Sequence, residues 1–165
     1  DSYMHTIDIE IYAAQYKTDV ASLVVNIQNA EFGIPITLEM QPDLLDIPRF
    51  YQVKNGNFWV ARDGKEIIGT IALLDIGNKQ GALRKMFVHK DFRGKESGVG
   101  QKLLNSLLDW ARLKSVETIF LGTTAKFIGA QRFYEKNGFE EIQKEQLPTS
   151  FPVMEVDVRF YQRAV

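Results

Sequence analysis

Apolar and polar positions alternate over residues 5–12, with Ile7, Ile9 and Ile11 on one face and Asp8 and Glu10 on the other. A period of two predicts a half-buried strand that begins at His5. The period then lengthens. Tyr16, Val20, Leu23, Val24 and Ile27 recur at helical spacing and predict an amphipathic helix to about Ala30, ended by Gly33 and Pro35. Residues 42–52 read as a second, less regular helical stretch that Pro48 interrupts or restarts and Gly56 ends. A meander follows, with strands over 57–62, 66–75 and 80–89. Asp63-Gly64 is a two-residue hairpin turn, and Gly77-Asn78-Lys79 makes the next one. Leu103, Leu104, Leu107, Leu108 and Ala111 then form one apolar stripe, which predicts a long helix. Ile119-Phe120-Leu121 sits in a short continuous apolar strand over 118–123, as expected where both faces are covered. Another helix spans 128–137 and stops at Asn137-Gly138. Strands over 139–146 and 153–163 finish the chain, joined by 148–152. In the last, Val156, Val158 and Phe160 face one way, and Asp157 and Arg159 the other. The strand at 80–89, the long helix and the strand at 118–123 make a right-handed βαβ unit. No repeat, low-complexity tract or linker interrupts the pattern. The expectation is one α+β domain over residues 1–165 with a mixed sheet.

Composition narrows the chemistry. At 165 residues, 45% hydrophobic and 25% charged, the chain reads as a soluble globular protein. A net charge of −1 gives no global field toward nucleic acid or an anionic membrane. No apolar run has membrane-spanning length, and no secretory signal is read before the first strand. The count of 0 cysteines excludes disulfides, thiolate metal sites and a cysteine nucleophile. With His5 and His89 as the only histidines, no histidine-rich metal site is expected either. This composition fits a cytoplasmic protein. The chain opens at Asp1 rather than Met, which leaves room for a longer protein.

The most informative stretch is 84–100, Arg-Lys-Met-Phe-Val-His-Lys-Asp-Phe-Arg-Gly-Lys-Glu-Ser-Gly-Val-Gly. It reads as a strand, a basic glycine-containing loop and a helix start. A helix start carries unpaired N–H groups and the positive end of the dipole, and glycines let a ligand approach the backbone. With Arg93 and Lys95 just ahead, these features describe a phosphate site. Two familiar phosphate loops are excluded. Gly94 and Gly98 have the spacing of a P-loop but lack its Gly-Lys-Ser/Thr ending. Gly98 and Gly100 open a dinucleotide fingerprint, but Leu103 stands where its third glycine belongs.

The stretch resembles the acyl-CoA loop of the GNAT (GCN5-related) N-acetyltransferases, an Arg/Gln-x-x-Gly-x-Gly/Ala loop between a strand and a helix. Lys95-Glu96-Ser97-Gly98-Val99-Gly100 fits with Lys at the first position; alternatively Arg93 fills it and two residues are inserted. A second segment, Ala130-Gln131-Arg132-Phe133-Tyr134-Glu135-Lys136-Asn137-Gly138-Phe139, is similar to the family's Ala-x-x-Phe-Tyr-x-x-x-Gly-Phe, with all five keyed positions matched. The element order agrees over nearly the whole chain. Many members carry Asn three residues before the Ala, where this chain has Phe127.

The resemblance implies a mostly antiparallel central sheet flanked by helices, with acetyl-CoA as co-substrate and no metal. It places a pantetheine arm along the backbone of Met86, Phe87 and Val88, one of whose N–H groups would polarise the thioester carbonyl. The pyrophosphate falls to the loop: Arg93, Gly94, Lys95, Ser97, Gly98, Val99, Gly100 and Gln101. Phe133 belongs to the same cofactor set. Tyr134 matches the family's general acid, a phenol that gives its proton to the departing thiolate. The base is not identified; Asp75, His89, Glu31 and Glu39 are candidates, each with a plain surface reading beside it. The implied acceptor is an amine, on a small molecule or a protein, with no nucleic acid or membrane partner, and the family admits homodimers. Two other readings stay open. One is a non-catalytic acyl-CoA-binding regulatory module on the same fold; the other is an α/β domain whose loop takes some other phosphate ligand or none.

Overall fold

Each face of the sheet is explained by alternation within its own strands. The structure, a computed structural model, describes residues 6–94 and 96–165. The predicted strand start at His5 and the loop residue Lys95 lie outside them. Strand β1 (Ile7–Ile11) leads through a 3₁₀ turn into helix α1 (Lys17–Val25), which widens into a π-helical turn over Asn26–Glu31. Two one-turn helices follow, α2 (Pro42–Leu45) and α3 (Ile47–Phe50). The meander is β2 (Asn57–Asp63), β3 (Glu66–Gly77) and β4 (Gln80–Val88). Helix α4 (Val99–Leu113), β5 (Thr118–Thr123), α5 (Ile128–Lys136), β6 (Glu140–Ile142) and β7 (Arg159–Ala164) complete the order.

The seven strands form one mixed sheet in the order β1-β2-β3-β4-β5-β7-β6, parallel only between β4 and β5. In β2, Trp59 and Ala61 join the core under α4, while Phe58 and Val60 join the core under α1, α2 and α3. The predicted stripe of α4 is its buried face: Leu103, Leu104 and Leu107 are fully enclosed. Enclosing each such leucine stabilises the fold by about 1.5–3 kcal/mol. A third cluster, with Ile76, Phe120, Phe151 and Phe160, fills the end near β5 and β7.

Three predicted elements differ. The helical stretch at 42–52 divides because Pro42 and Pro48 each start a new turn, and Asp46 caps the second by accepting from the Arg49 N–H at 3.3 Å. The strand at 139–146 stops at Ile142 and gives way to a 3₁₀ turn over Lys144–Gln146, where Gln146 Oε1 accepts from the Gln143 N–H. The strand at 153–163 begins only at Arg159. Ahead of it the chain turns on itself: Asp157 N–H donates to Met154 O at 3.0 Å, and Met154 N–H donates to Asp157 Oδ2 at 3.1 Å. The expected alternation fails there, since Val156 and Val158 are 43% and 60% exposed while Asp157 is partly enclosed.

The parallel pairing of β4 and β5 is short. It runs from Gln80↔Thr118 to Ala82↔Phe120 and ends. Beyond it β5 pairs with β7 alone, from Leu121↔Tyr161 to Thr123↔Arg159, and β4 with β3 alone, out to Gly69↔Val88. From Leu83 onward the two strands present open backbone edges to the space between them.

Candidate active site

The cleft where β4 and β5 part is a cavity of about 130 Å³. Leu83 to Phe87 form one wall, Gly122, Thr123 and Thr124 the other, and α5 supplies Ala130 and Tyr134. Tyr134 is 5% exposed, with its ring edge-on to Phe133 and Phe139. Its hydroxyl has no hydrogen-bond partner among the described residues. No enclosed side-chain polar atom there is left without one, so the hydroxyl opens onto the cleft. Burial pushes its pKa well above the ordinary phenol value, and the group stays protonated.

Met86 and Phe133 come together at the entry of α4, where a Cβ on Gly100 would meet Met86 Cε at 3.4 Å and the Phe133 ring at 3.8 Å. Gly98 caps the helix in the left-handed region, at φ 65°. The first-turn N–H groups of α4 follow directly, an arrangement suited to an anion. The side chains of the loop are otherwise engaged. Ser97 Oγ donates to Phe92 O. Gln101 Nε2 donates to Asn105 and Asn137, both at 2.9 Å. Val99 is fully buried in the core, so only its backbone faces the loop. Gly94 is exposed at φ 102°. Arg93 turns away: it grips Glu31 with both terminal nitrogens, donates from Nε to Val88 O at 2.8 Å and lies 5.4 Å from the Phe32 ring centroid. The Val88 carbonyl is thereby occupied. Phe87 lies edge-on to Phe127, which in turn meets Phe32, so these three rings border the cleft mouth.

The other side of the cavity carries charges that the sequence pattern conceals. Between Thr70↔Phe87 and Ala72↔Arg84, strand β4 holds one residue more than β3. The extra residue is a bulge at Lys85, in the left-handed region at φ 53°. Neighbours in a regular strand point to opposite faces, but the bulge turns Arg84 and Lys85 to the same one. Lys85 Nζ donates to Gln41 Oε1 at 2.5 Å and stands 3.4 Å from Asp43 Oδ2. Asp43 also accepts from the Tyr51 hydroxyl at 2.6 Å. Burial lowers the Lys85 ammonium to a pKa of about 8 against the opposing pull of Asp43. The π-helical turn aims Gln28 inward, where it exchanges hydrogen bonds with Gln41 at 2.8 and 3.1 Å.

Asp157 enters the same cavity from the loop before β7. A Cβ on Gly122 would stand 2.6 Å from its Oδ2, so the glycine of β5 makes room for this carboxylate. Burial raises its pKa above the ordinary carboxylate value, against the Met154 N–H and the nearby Arg84 and Lys85. Asp157 was hidden in the sequence by its placement on the polar face of an expected strand.

The four candidate bases, none of them singled out by the sequence, do not line this cavity. Asp75 accepts from the N–H groups of Asn55 at 3.0 Å and Gly77 at 2.7 Å, pinning a turn. His89 Nδ1 accepts from the Asp91 N–H and borders a separate surface groove. The Arg93 hydrogen bonds hold the Glu31 carboxyl below its usual pKa, and Glu39 is exposed. Among the described residues no helix is long and apolar enough to cross a membrane.

Residues 54–141 match the family model described as acetyltransferase (GNAT) domain. A crystal structure of a GNAT-family acetyltransferase from Staphylococcus aureus Mu50 superposes at a TM-score of 0.92 with 41% identity, covering 96% of this chain and 99% of that one. The paia N-acetyltransferase of Thermoplasma acidophilum, solved in complex with coenzyme A, superposes at 0.72 over 97% and 99% of the two chains; at 15% identity the likeness shows the fold alone. The N-acetylaspartate synthetase of Xenopus tropicalis is 35% identical over 107 residues, 62% of this chain and 38% of that protein. The chain thus spans well under half of that relative's length.

Proposed function

The chain belongs to the GNAT acetyltransferase family, and we propose that it transfers an acetyl group from acetyl-CoA to a primary amine by direct attack, with Tyr134 as general acid. The observation that carries this reading is the phenol of Tyr134, held protonated and opening onto the cleft where β4 and β5 part without a partner among the described residues. Bound acetyl-CoA supplies the thioester under attack and the thiol that leaves.

The residues fit that co-substrate. The open edge of β4 at Met86, which has no register partner in β3, offers backbone groups to an extended arm, as a strand offers them to a neighbour; the Phe87 carbonyl lies on the other side, beside Gly69 of β3. The left-handed cap at Gly98 and the N–H groups of Val99, Gly100 and Gln101 suit the pyrophosphate. Phe133 and Met86 pack where the two meet. Arg93 enters this reading only by leaving Glu31. Asp157 takes the proton that the attacking amine sheds, and its raised pKa suits that task. A cytoplasmic location belongs to the same proposal and rests on the cysteine-free composition.

The test is thiol release from acetyl-CoA across a panel of amines. Tyr134→Phe lowers kcat by roughly 10²–10⁴-fold, the usual worth of a positioned acid, and leaves acetyl-CoA affinity nearly unchanged. Unchanged turnover would remove Tyr134 from the mechanism. Tight acetyl-CoA binding without release for any amine would instead identify a non-catalytic acyl-CoA module.

A further inference from the structure

We infer that the acceptor is a small amine carrying a carboxylate, an amino acid, and that Arg84 holds the carboxylate. This deepens the proposed transfer reaction and rests on it for the fate of the amine.

The bulge at Lys85 brings two adjacent cations to the cavity, and their surroundings differ. Lys85 is answered within the protein, by Asp43 at 3.4 Å and Gln41 at 2.5 Å. Arg84 is not. Its side chain is only 12% exposed, yet its one hydrogen bond among the described residues is to the Met154 thioether sulfur, at 3.6 Å. Asp43 is the one described carboxylate within 4 Å of it, at 3.9 Å, and already serves Tyr51 and Lys85. A guanidinium has five N–H donors in a fixed fork. No enclosed side-chain polar atom lacks a partner among the described residues, so the remaining donors reach the cavity. Phe50 and Tyr51, with ring centroids 5.7 and 5.9 Å from Arg84 Cζ, steady the group without using its donors. Such a fork matches the two oxygens of a carboxylate.

Asp157 supplies the opposite charge in the same lining. With Lys85 and Asp43 balancing each other, the wall presents one cation and one carboxylate, the complement of a zwitterion.

The experiment compares L-aspartate, L-glutamate, L-leucine, L-methionine and L-phenylalanine with their α-amides, using the full chain. Thiol release from acetyl-CoA and calorimetric binding in the presence of CoA are both read. An amide keeps the shape and removes the charge. It also makes the amine less basic, which biases the comparison against the inference. The expected result is that at least one acid exceeds its amide by roughly tenfold to a hundredfold in kcat/KM and in affinity, the usual worth of hydrogen bonds to a charged group. Arg84→Gln abolishes that preference and leaves the amide within a few-fold of its former value. Arg84→Lys, which keeps the charge and loses the fork, restores it in part. An unchanged thermal shift with acetyl-CoA shows that each variant is folded. Equal use of acids and amides, or equal loss of both in Arg84→Gln, overturns the carboxylate site and leaves acetyl transfer standing. Preferential binding of an acid without thiol release keeps the site and ends the transfer reading. No binding of either series overturns the inference.

Discussion

Lys85 is the residue whose surroundings make the sharpest demand on the solution pH. Its side chain is 7% exposed, and burial lowers its pKa from 10.5 to about 8. Below pH 8 the lysine carries its proton in both the folded and unfolded states, and the cost of enclosing the charge is felt in full. Between pH 8 and 10.5 the unfolded chain holds the proton and the folded chain releases it, so stability from this group rises with pH. Relative to Lys85→Met, the wild type therefore gains on the order of 3 kcal/mol across that window. Urea titrations of both proteins at pH 7, 8, 9 and 10.5 measure the difference, and a flat difference would show that the group titrates normally. None of this was legible in the sequence. Arg84-Lys85 reads there as two steps of a regular strand with opposite directions. The bulge depends on how β3 and β4 register, a non-local matter. Asp157 was lost for a related reason: Val156, Val158 and Phe160 have the spacing of a strand face, but a local turn at Met154 and Asp157 removes the first two from it.

At the scale of elements, local signals were read well where one face of the element meets a continuous core. The stripe of α4, the hairpin between β2 and β3 and the ending of α5 at Asn137-Gly138 are each set by a few neighbouring residues, although Asp63 pairs with Glu66, so the turn residues are Gly64-Lys65, one position after the expected Asp63-Gly64. Where the chain crosses an end of the sheet, as between β6 and β7, tertiary packing of Phe151 and Asp157 outweighs alternation. The entry to α4 joins both kinds of information. Its glycines were legible, and the left-handed backbone of Gly98 is a demand that glycine meets without strain. A Cβ there meets nothing within 4 Å, so Gly98→Ala tests the backbone conformation and not the space. The expected outcome is a loss of about 1–2 kcal/mol, the cost of an L-residue in that region. For a chain of this size that is a fall of several degrees in Tm. If the first-turn N–H groups hold the pyrophosphate, acetyl-CoA affinity falls as well. Loss of stability with unchanged affinity would move the anion elsewhere.

At the scale of the molecule, one feature links fold to function: β1 to β4 and β5 to β7 share a sheet, but β4 and β5 pair only from Gln80↔Thr118 to Ala82↔Phe120. Helix α4 spans the division, since it packs on β1 to β4 and leads into β5. A ligand that pairs along the open edge of β4 adds contacts across the parting, so its effect on stability is global. One that occupies only the helix entry leaves the parting as it was. Acetyl-CoA at about 100 times its dissociation constant stabilises the fold by about 2.7 kcal/mol. That corresponds to a Tm rise of roughly 5–10 °C for a domain of this length. ATP offers phosphates without the pantetheine arm and at the same concentration gives a much smaller rise. Hydrogen exchange locates the difference. Acetyl-CoA slows exchange in residues 83–88 of β4 and in the first turn of α4, whereas ATP slows at most the latter. Equal protection and equal Tm shifts with both ligands would mean that the loop is a general phosphate site and that the gap between β4 and β5 is not where the thioester lies.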